Sequence, residues 1–141
     1  MRPPTGHVIV GTMTTDSKRD RLNDTELDYL RGQRLGRLAT VDGRGRPQAN
    51  PVGFFLGEDG STIDIGGYTM DATKKWRNIA ANPNVSLVVD DIASLDPWRV
   101  RGVEIRGTAE QVPGPHRFDA FVSQGVIRIR PYSVYGWGLD G

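Results

Sequence analysis

The apolar positions change period several times along the chain, and each change marks an element. Over NDTELDYLRGQ, Leu27 and Leu30 fall three apart on one face, Asn23 stands three residues before Glu26 as in a capping box, and Gly32 offers a stop. A short helix is predicted there. From residue 35 to 67 three apolar or alternating runs are separated by DGRGR and GEDG, which tolerate turn geometry, and the pattern is that of a three-stranded meander. Pro47 and Pro51 interrupt the middle run. Neither donates a backbone hydrogen bond, so this strand is expected at an edge, at a bulge, or beside something other than a strand, such as a ligand.

MDATKKWRNIAANP then takes up helical spacing: Asp71 is placed to cap, Trp76, Ile79 and Ala80 share a face, and Pro83 follows the end. NVSLVVDD reads as a buried strand and PWRVRGVEIRGTAEQV as a long one. In the long run Trp98 and Val100 occupy even positions, whereas Val103 and Ile105 occupy odd ones, so the apolar face flips between Arg101 and Gly102. A β-bulge at Gly102 is expected to absorb that slip. PHRFDAFVSQG is read as a turn of helix, residues 91–97 and 112–124 as loops that shape a binding pocket, and VIRIRPYSVYGWG as the last strand. The sum is a mainly β chain: a small antiparallel barrel with short helices, whose closure removes exposed sheet edges. No G-x-G-x-x-G joins a strand to a helix, and DGRGRP is better explained as a hairpin turn.

At 141 residues the chain fits one domain. Pro3, Pro4 and Gly6 mark residues 1–20 as a loose arm, leaving residues 21–141 as the folded unit. There is no cysteine, which rules out thiol catalysis, cysteine-ligated zinc and iron–sulfur clusters, and only two histidines, His7 and His116, are available to a metal. The balance of 18 Lys and Arg against 17 Asp and Glu gives no broad electrostatic footprint for nucleic acid. No apolar run approaches the length of a membrane span, and HVIVGTM lacks the pattern of a signal-peptide core, so the expected location is the cytoplasm.

Chemistry concentrates in GGYTMDATKKW. A strand ends at Tyr68 and Thr69, and a helix begins near Asp71 with Thr73, Lys74 and Lys75 in its first turn, so free N–H groups, hydroxyls and ammonium groups converge as a phosphate site would require. The competing reading is a helix start with ordinary solvated lysines. Asp71 argues against phosphate unless it turns away to cap its own helix. Gly66 and Gly67 let a flat ligand approach the backbone, or mark a tight strand exit.

GRLATVDGRGRPQANPVGF, IDIGGYTMDATKKWRNIAANPNVSLVVDD, WRVRGVEIRGTAE and IRIRPYSVYGWG, in this order and spacing, resemble the pyridoxamine 5′-phosphate oxidase-like split-barrel family. They are most similar to its flavin/deazaflavin oxidoreductase branch, many members of which use coenzyme F420, and the likeness covers about residues 24–140. It implies a homodimeric six-stranded split barrel with two cofactor sites at the subunit interface. Tyr68 and Thr69, then Thr73, Lys74 and Lys75, match the Tyr-Thr and Ser-Arg-Lys residues that grip the cofactor phosphate in flavin-using members. Lys74 stands where those members have Arg, and a lysine lacks the bidentate fork, which disfavours tight retention of FMN. PQANPV matches the strand lying along the ring, making Gln48, Asn50 and Pro51 the expected ring contacts, and VYGWG brings Trp137 as a stacking candidate. F420 carries an acidic tail, for which Arg44, Arg46, Arg99, Arg101 and Arg106 are candidate partners, Arg101 being turned to the site by the bulge.

The resemblance therefore implies an F420H2-dependent reductase of a small unsaturated or aromatic acceptor, with no Ser-His-Asp set or paired carboxylates of its own and with solvent, or a hydroxyl such as Tyr68, Tyr132 or Tyr135, supplying a proton. Two alternatives stay open: an FMN-dependent oxidase or flavin reductase, and a non-catalytic carrier of flavin, F420 or heme. Pyridoxamine phosphate oxidation is disfavoured, because no substrate-phosphate set is legible near the C-terminus.

Overall fold

The computed structural model describes residues 18–139. Most of the arm expected over residues 1–20, His7 included, lies outside the described residues. Helix α1 (Asp24–Arg31) opens with the capping box its spacing predicts: the Asn23 side chain accepts from the Glu26 N–H and Glu26 accepts from the Asn23 N–H, each at 2.9 Å. Glu26 is buried, and Arg19 donates to both of its carboxylate oxygens at 2.8 and 2.7 Å while a third bond, 3.1 Å, reaches the Val134 carbonyl on the barrel. The chain ahead of α1 is thereby tied to the barrel wall.

Six antiparallel strands follow: β1 (Leu35–Val41), β2 (Pro47–Leu56), β3 (Ile63–Gly66), β4 (Asn84–Leu95), β5 (Trp98–Phe118) and β6 (Phe121–Trp137). They close in the order β1-β2-β3-β6-β5-β4, the seam being Arg37, Leu38 and Ala39 against Val88, Leu87 and Ser86. Leu38, Val52, Ile63, Ile65, Leu87, Val89, Val103, Ile105, Ile127 and Ile129 fill the interior from alternating positions of their strands, as a closed barrel demands. Leu22, Leu27 and Leu30 join the core from α1 and the residue turn ahead of it.

The two helices mark opposite ends of the barrel. Around α1 stand Gly60, whose carbonyl accepts from Leu22, Asp91, which accepts from Tyr29 Oη at 2.8 Å, and the distal half of β6. Helix α2 (Lys74–Ala81), with the 3₁₀ turn Met70–Ala72 before it, lies instead at Thr40, Gln48 and Gln111, where β1 ends and β2 begins.

Several expectations are corrected. Thr73, not Asp71, caps α2: its hydroxyl accepts from the Trp76 N–H at 3.3 Å, while Asp71 belongs to the 3₁₀ turn. Of the apolar face assigned to this helix, Ile79 is buried but Ala80 is exposed, and the polar Asn78 is buried in its place. No bulge occurs at Gly102, which pairs in unbroken register with Asp90 on β4 and Trp137 on β6. The apolar face flips because β5 starts outside the barrel: residues 98–101 pair with β4 alone as one strand of a two-stranded ribbon, so they have no barrel interior to face. Gly102 is small for another reason, since a Cβ there would lie 2.5 Å from the Trp137 ring and 2.8 Å from the Val89 carbonyl. The irregularities fall between Ile92 and Ser94, between Arg106 and Gly107, and between Val112 and Pro115. The last of these, with Gly114 at φ 93°, lets the strand pass Pro113 and Pro115. Consequently PHRFDAFVSQG is no helical turn and residues 112–124 no loop: β5 and β6 continue as a hairpin to the pair Phe118 and Phe121, and residues 91–95 likewise stay in β4.

Candidate functional site

Residues 47–52 of β2 have a partner only in β1, because pairing with β3 starts at Gly53 opposite Gly66. Pro47 and Pro51 sit in this stretch, four apart and therefore with the same edge parity, so one edge of β2 lacks both donors at no cost to a ladder that is absent. The strand borders something other than a strand, one of the three options its prolines allowed.

That something is a cleft of about 190 Å³ lined by residues 51–53 and 66–70 together with Thr73 and Lys75. Its floor is a cross-strand pair of glycines. A Cβ on Gly53 would meet no atom within 4 Å, whereas one on Gly66 would approach Phe55, Phe118 and Ser123 at 3.3 Å. Bare backbone is thus exposed to whatever enters, beside a wall in which Phe55 and Phe118 stack at 3.9 Å and Phe121 meets the Tyr68 ring edge-on at 5.0 Å. Ser123, fully buried, accepts from the Gly67 N–H at 3.0 Å and lies within bonding distance of the Gly67 and Gly125 carbonyls, which holds the strand exit to β6.

Lys74 and Lys75 are the first two residues of α2, where N–H groups lack intrahelical partners. None of the ion pairs among the described residues includes either lysine, although carboxylates neutralise most of the arginines. Lys75 lines the cleft; Tyr68, 72% exposed, and Thr69 line it too, with hydroxyls free of protein partners in the hydrogen bonds described. Thr73 also lines it, but its hydroxyl donates to the Met70 carbonyl at 2.7 Å as well as capping the helix, so it shapes the turn more than it offers a donor. This donor set, a glycine floor and unpaired cations at a helix start, fits a flat ring carrying a phosphate.

Pro51 belongs to the cleft, and Gln48 and Asn50 lie just beyond it on β2, with Gln48 accepting from Asn78 at 3.3 Å. Arg101 and Trp137 are elsewhere. Trp137 stands ten residues along β6 from Ile127, the partner of Ile65, which is roughly 30 Å of strand. Arg101, at the same far end, donates to both oxygens of Asp91 at 2.8 and 2.9 Å and lies over the Tyr29 ring, 5.1 Å from its centre. That guanidinium holds the Asp91 carboxyl below its ordinary range, while burial and the bond to Asp91 push the Tyr29 hydroxyl well up. Arg46 pairs with Asp42 at 2.9 Å and Arg106 with Glu104 at 3.1 Å. Backbone N–H groups of Arg46 and Arg44 hold Asp42 at about 2, so this acid organises the β1–β2 turn. Of the three tyrosines considered as proton sources only Tyr68 lines the cleft. His116 is within β5, its Nε2 3.2 Å from the Val112 carbonyl, and no cluster of metal-ligating side chains occurs among the described residues. Nor is any described helix long and apolar enough to cross a membrane.

Two features went unread in the sequence. The aromatic wall joins Phe55 to Phe118 and Phe121, far along the chain, a contact no local pattern encodes. Asn78, 4% exposed, links α2 to Thr40 and Gln48; the available signal was a polar residue three and four positions after the two lysines, hence on their face of the helix.

The sequence profile described as pyridoxamine 5′-phosphate oxidase matches residues 22–134. A 5a,11a-dehydrotetracycline/5a,11a-dehydrooxytetracycline reductase from Streptomyces rimosus is 43% identical over 117 residues, which is 82% of each chain. Among solved structures, a conserved hypothetical protein from Mycobacterium tuberculosis superposes with a TM-score of 0.66 at 20% identity, covering 89% of this chain and 91% of that one. A protein described as an F420 reductase superposes with a TM-score of 0.55 at 28% identity, covering 72% of this chain and 89% of that one.

Proposed function

The chain belongs to the pyridoxamine 5′-phosphate oxidase family of oxidoreductases, and from that premise we propose that it is a reductase using coenzyme F420H2 to reduce an unsaturated or aromatic acceptor. One observation carries the proposal: Lys75 at the start of α2 lines the same cleft as the open edge of β2 and the glycine floor, without a carboxylate partner among the described residues. When bound, the reduced deazaflavin supplies the hydride. The protein's own share is to hold and orient. Lys74, Lys75, Tyr68 and Thr69 would hold the phosphate end, Gln48, Asn50 and Pro51 the ring end, and the Phe55, Phe118 and Phe121 wall would exclude water from one side. With Tyr68 given to the phosphate end, the proton for the reduced acceptor is proposed to come from solvent at the open mouth of the cleft. The reductase from Streptomyces rimosus favours a conjugated polycyclic acceptor, and the neighbour described as an F420 reductase favours the deazaflavin.

The acceptor prediction is checked by incubating the protein with F420H2 and a panel of flat conjugated enones and quinones, following reoxidation of the deazaflavin. Turnover of conjugated polycyclic members is expected; turnover with FMNH2 alone would move the reading to the flavin users.

A cleft of about 190 Å³ is small against the roughly 300–1,000 Å³ of ligand pockets, so a second copy is proposed to complete it. The ribbon beyond Gly102 carries Ile92 at 51% and Leu95 at 71% exposure, and an isolated two-stranded ribbon is marginal in water. In a homodimer it has apolar surface to cover, and Arg101 and Trp137 can approach the partner's cleft. Sedimentation should give twice 15.5 kDa, and an Ile92→Asp, Leu95→Asp variant should sediment as a monomer with weakened cofactor binding. A wild-type monomer that binds cofactor fully would contradict this arrangement.

Gly53 gives a further check. Its φ is not among the positive ones and a side chain there meets open space, so Gly53→Val should melt within a few degrees of the parent. It should nevertheless bind F420 at least about tenfold more weakly, because the branched side chain fills the floor on which a ring would rest.

A further inference from the structure

The two ends of the proposed cofactor site are built by different elements, the phosphate end by the start of α2 and the ring end by β2, and one buried side chain touches both. Asn78 lies one helical turn after Lys74 and Lys75 and is 4% exposed. Its amide group donates one proton to Thr40 Oγ1 at 2.9 Å, itself 1% exposed, and the other to Gln48 Oε1 at 3.3 Å. Both donors are therefore used, and the Gln48 carbonyl is held towards the helix, which leaves its own NH₂ group on the side away from Asn78. An apolar residue at this helix position would bury as well and without the cost of desolvating an amide. A satisfied buried polar pair instead fixes register between elements.

We infer that Asn78 is a positioning residue that sets the span between the lysine turn of α2 and the ring-contacting stretch of β2. The inference rests on the reading of this cleft as a cofactor site with a phosphate end and a ring end. A ligand that reaches both ends gains from a fixed span as two linked contacts gain from a linker of the right length, whereas a ligand that occupies only one end does not. The signature of Asn78 is thus a selective loss for the whole cofactor over its ring fragment, a pattern that general loosening of the core would not produce.

The test titrates wild-type protein, Asn78→Leu and Thr40→Val with two pairs of ligands: F420 and its phosphate-free deazaflavin riboside, and FMN and riboflavin. Asn78→Leu keeps the branched shape, at a larger volume, and removes the bonds; Thr40→Val is nearly isosteric, lies outside the cleft lining, and carries the same test if the first variant does not fold. The expected result is about tenfold weaker binding of the phosphate-bearing ligand, a loss matching one net hydrogen bond, with less than twofold change for its phosphate-free counterpart. Equal losses for both members of a pair, or no loss for either, would overturn the inference while the site reading stands. Wild-type protein that binds neither phosphate-bearing ligand would overturn the site reading itself, and the inference with it.

Discussion

Lys75→Ala is expected to weaken F420 binding roughly 10- to 100-fold, the range of one charge-assisted hydrogen bond to an anion, with little change in melting temperature. The side chain lines the cleft, is half-buried and joins none of the ion pairs among the described residues, so its removal strands no buried partner. Lys74 is its exposed neighbour at the first helical position, and Lys74→Ala should have the smaller effect of a solvated charge at the mouth. Titration at two salt concentrations separates the roles, since the contribution of Lys74 should fade at high salt and that of Lys75 should persist. An unchanged affinity for Lys75→Ala would leave the lysines as an ordinary helix start.

Glu26→Ala should be the most damaging single truncation outside the barrel interior, lowering stability by about 2 to 4 kcal/mol, somewhat less than a fully buried broken ion pair because Arg19 is a third exposed. Three contacts go at once: the two oxygens that receive Arg19, and the reciprocal half of the α1 capping box. Denaturant unfolding of the variant measures it, with the midpoint falling at unchanged slope. A loss below about 1 kcal/mol would mean that Arg19 and the helix start find solvent as good a partner as Glu26. Because α1 lies at the end of the barrel away from the cleft, F420 affinity under native conditions should hold.

Patterns that are local in the chain predicted the structure best. The capping box at Asn23 and Glu26, the meander from β1 to β3, and the proline-marked open edge of β2 each follow from a few neighbouring residues. Where a pattern's meaning depends on distant pairing, reading failed. The flip in β5 mimicked a bulge because the sequence does not reveal that β6 ends opposite Gly102 and releases the ribbon. PHRFDAFVSQG suggested a turn of helix, yet a bulge between Val112 and Pro115 and the stacked Phe55 and Phe118 carry the hairpin through it. In the site, the contiguous stretch from Gly66 to Lys75 was legible as a turn of glycines, hydroxyls and cations. Its partners Asn78, Thr40 and Gln48 come from three elements and meet only in the folded barrel. Trp137 was a candidate through resemblance, and Arg101 through resemblance and a bulge that does not form; within one chain both stand at the far end of the barrel.

The most direct test of the account is equilibrium binding of F420 and of FMN to the wild-type protein after removal of any carried-over cofactor, followed by quenching of its tryptophan fluorescence. A lysine at position 74 offers a point charge where a guanidinium would offer a fork, so F420 is predicted to bind at least about tenfold more tightly than FMN. FMN binding as tightly as F420, or more tightly, would contradict the account and place the protein with the flavin-using oxidoreductases.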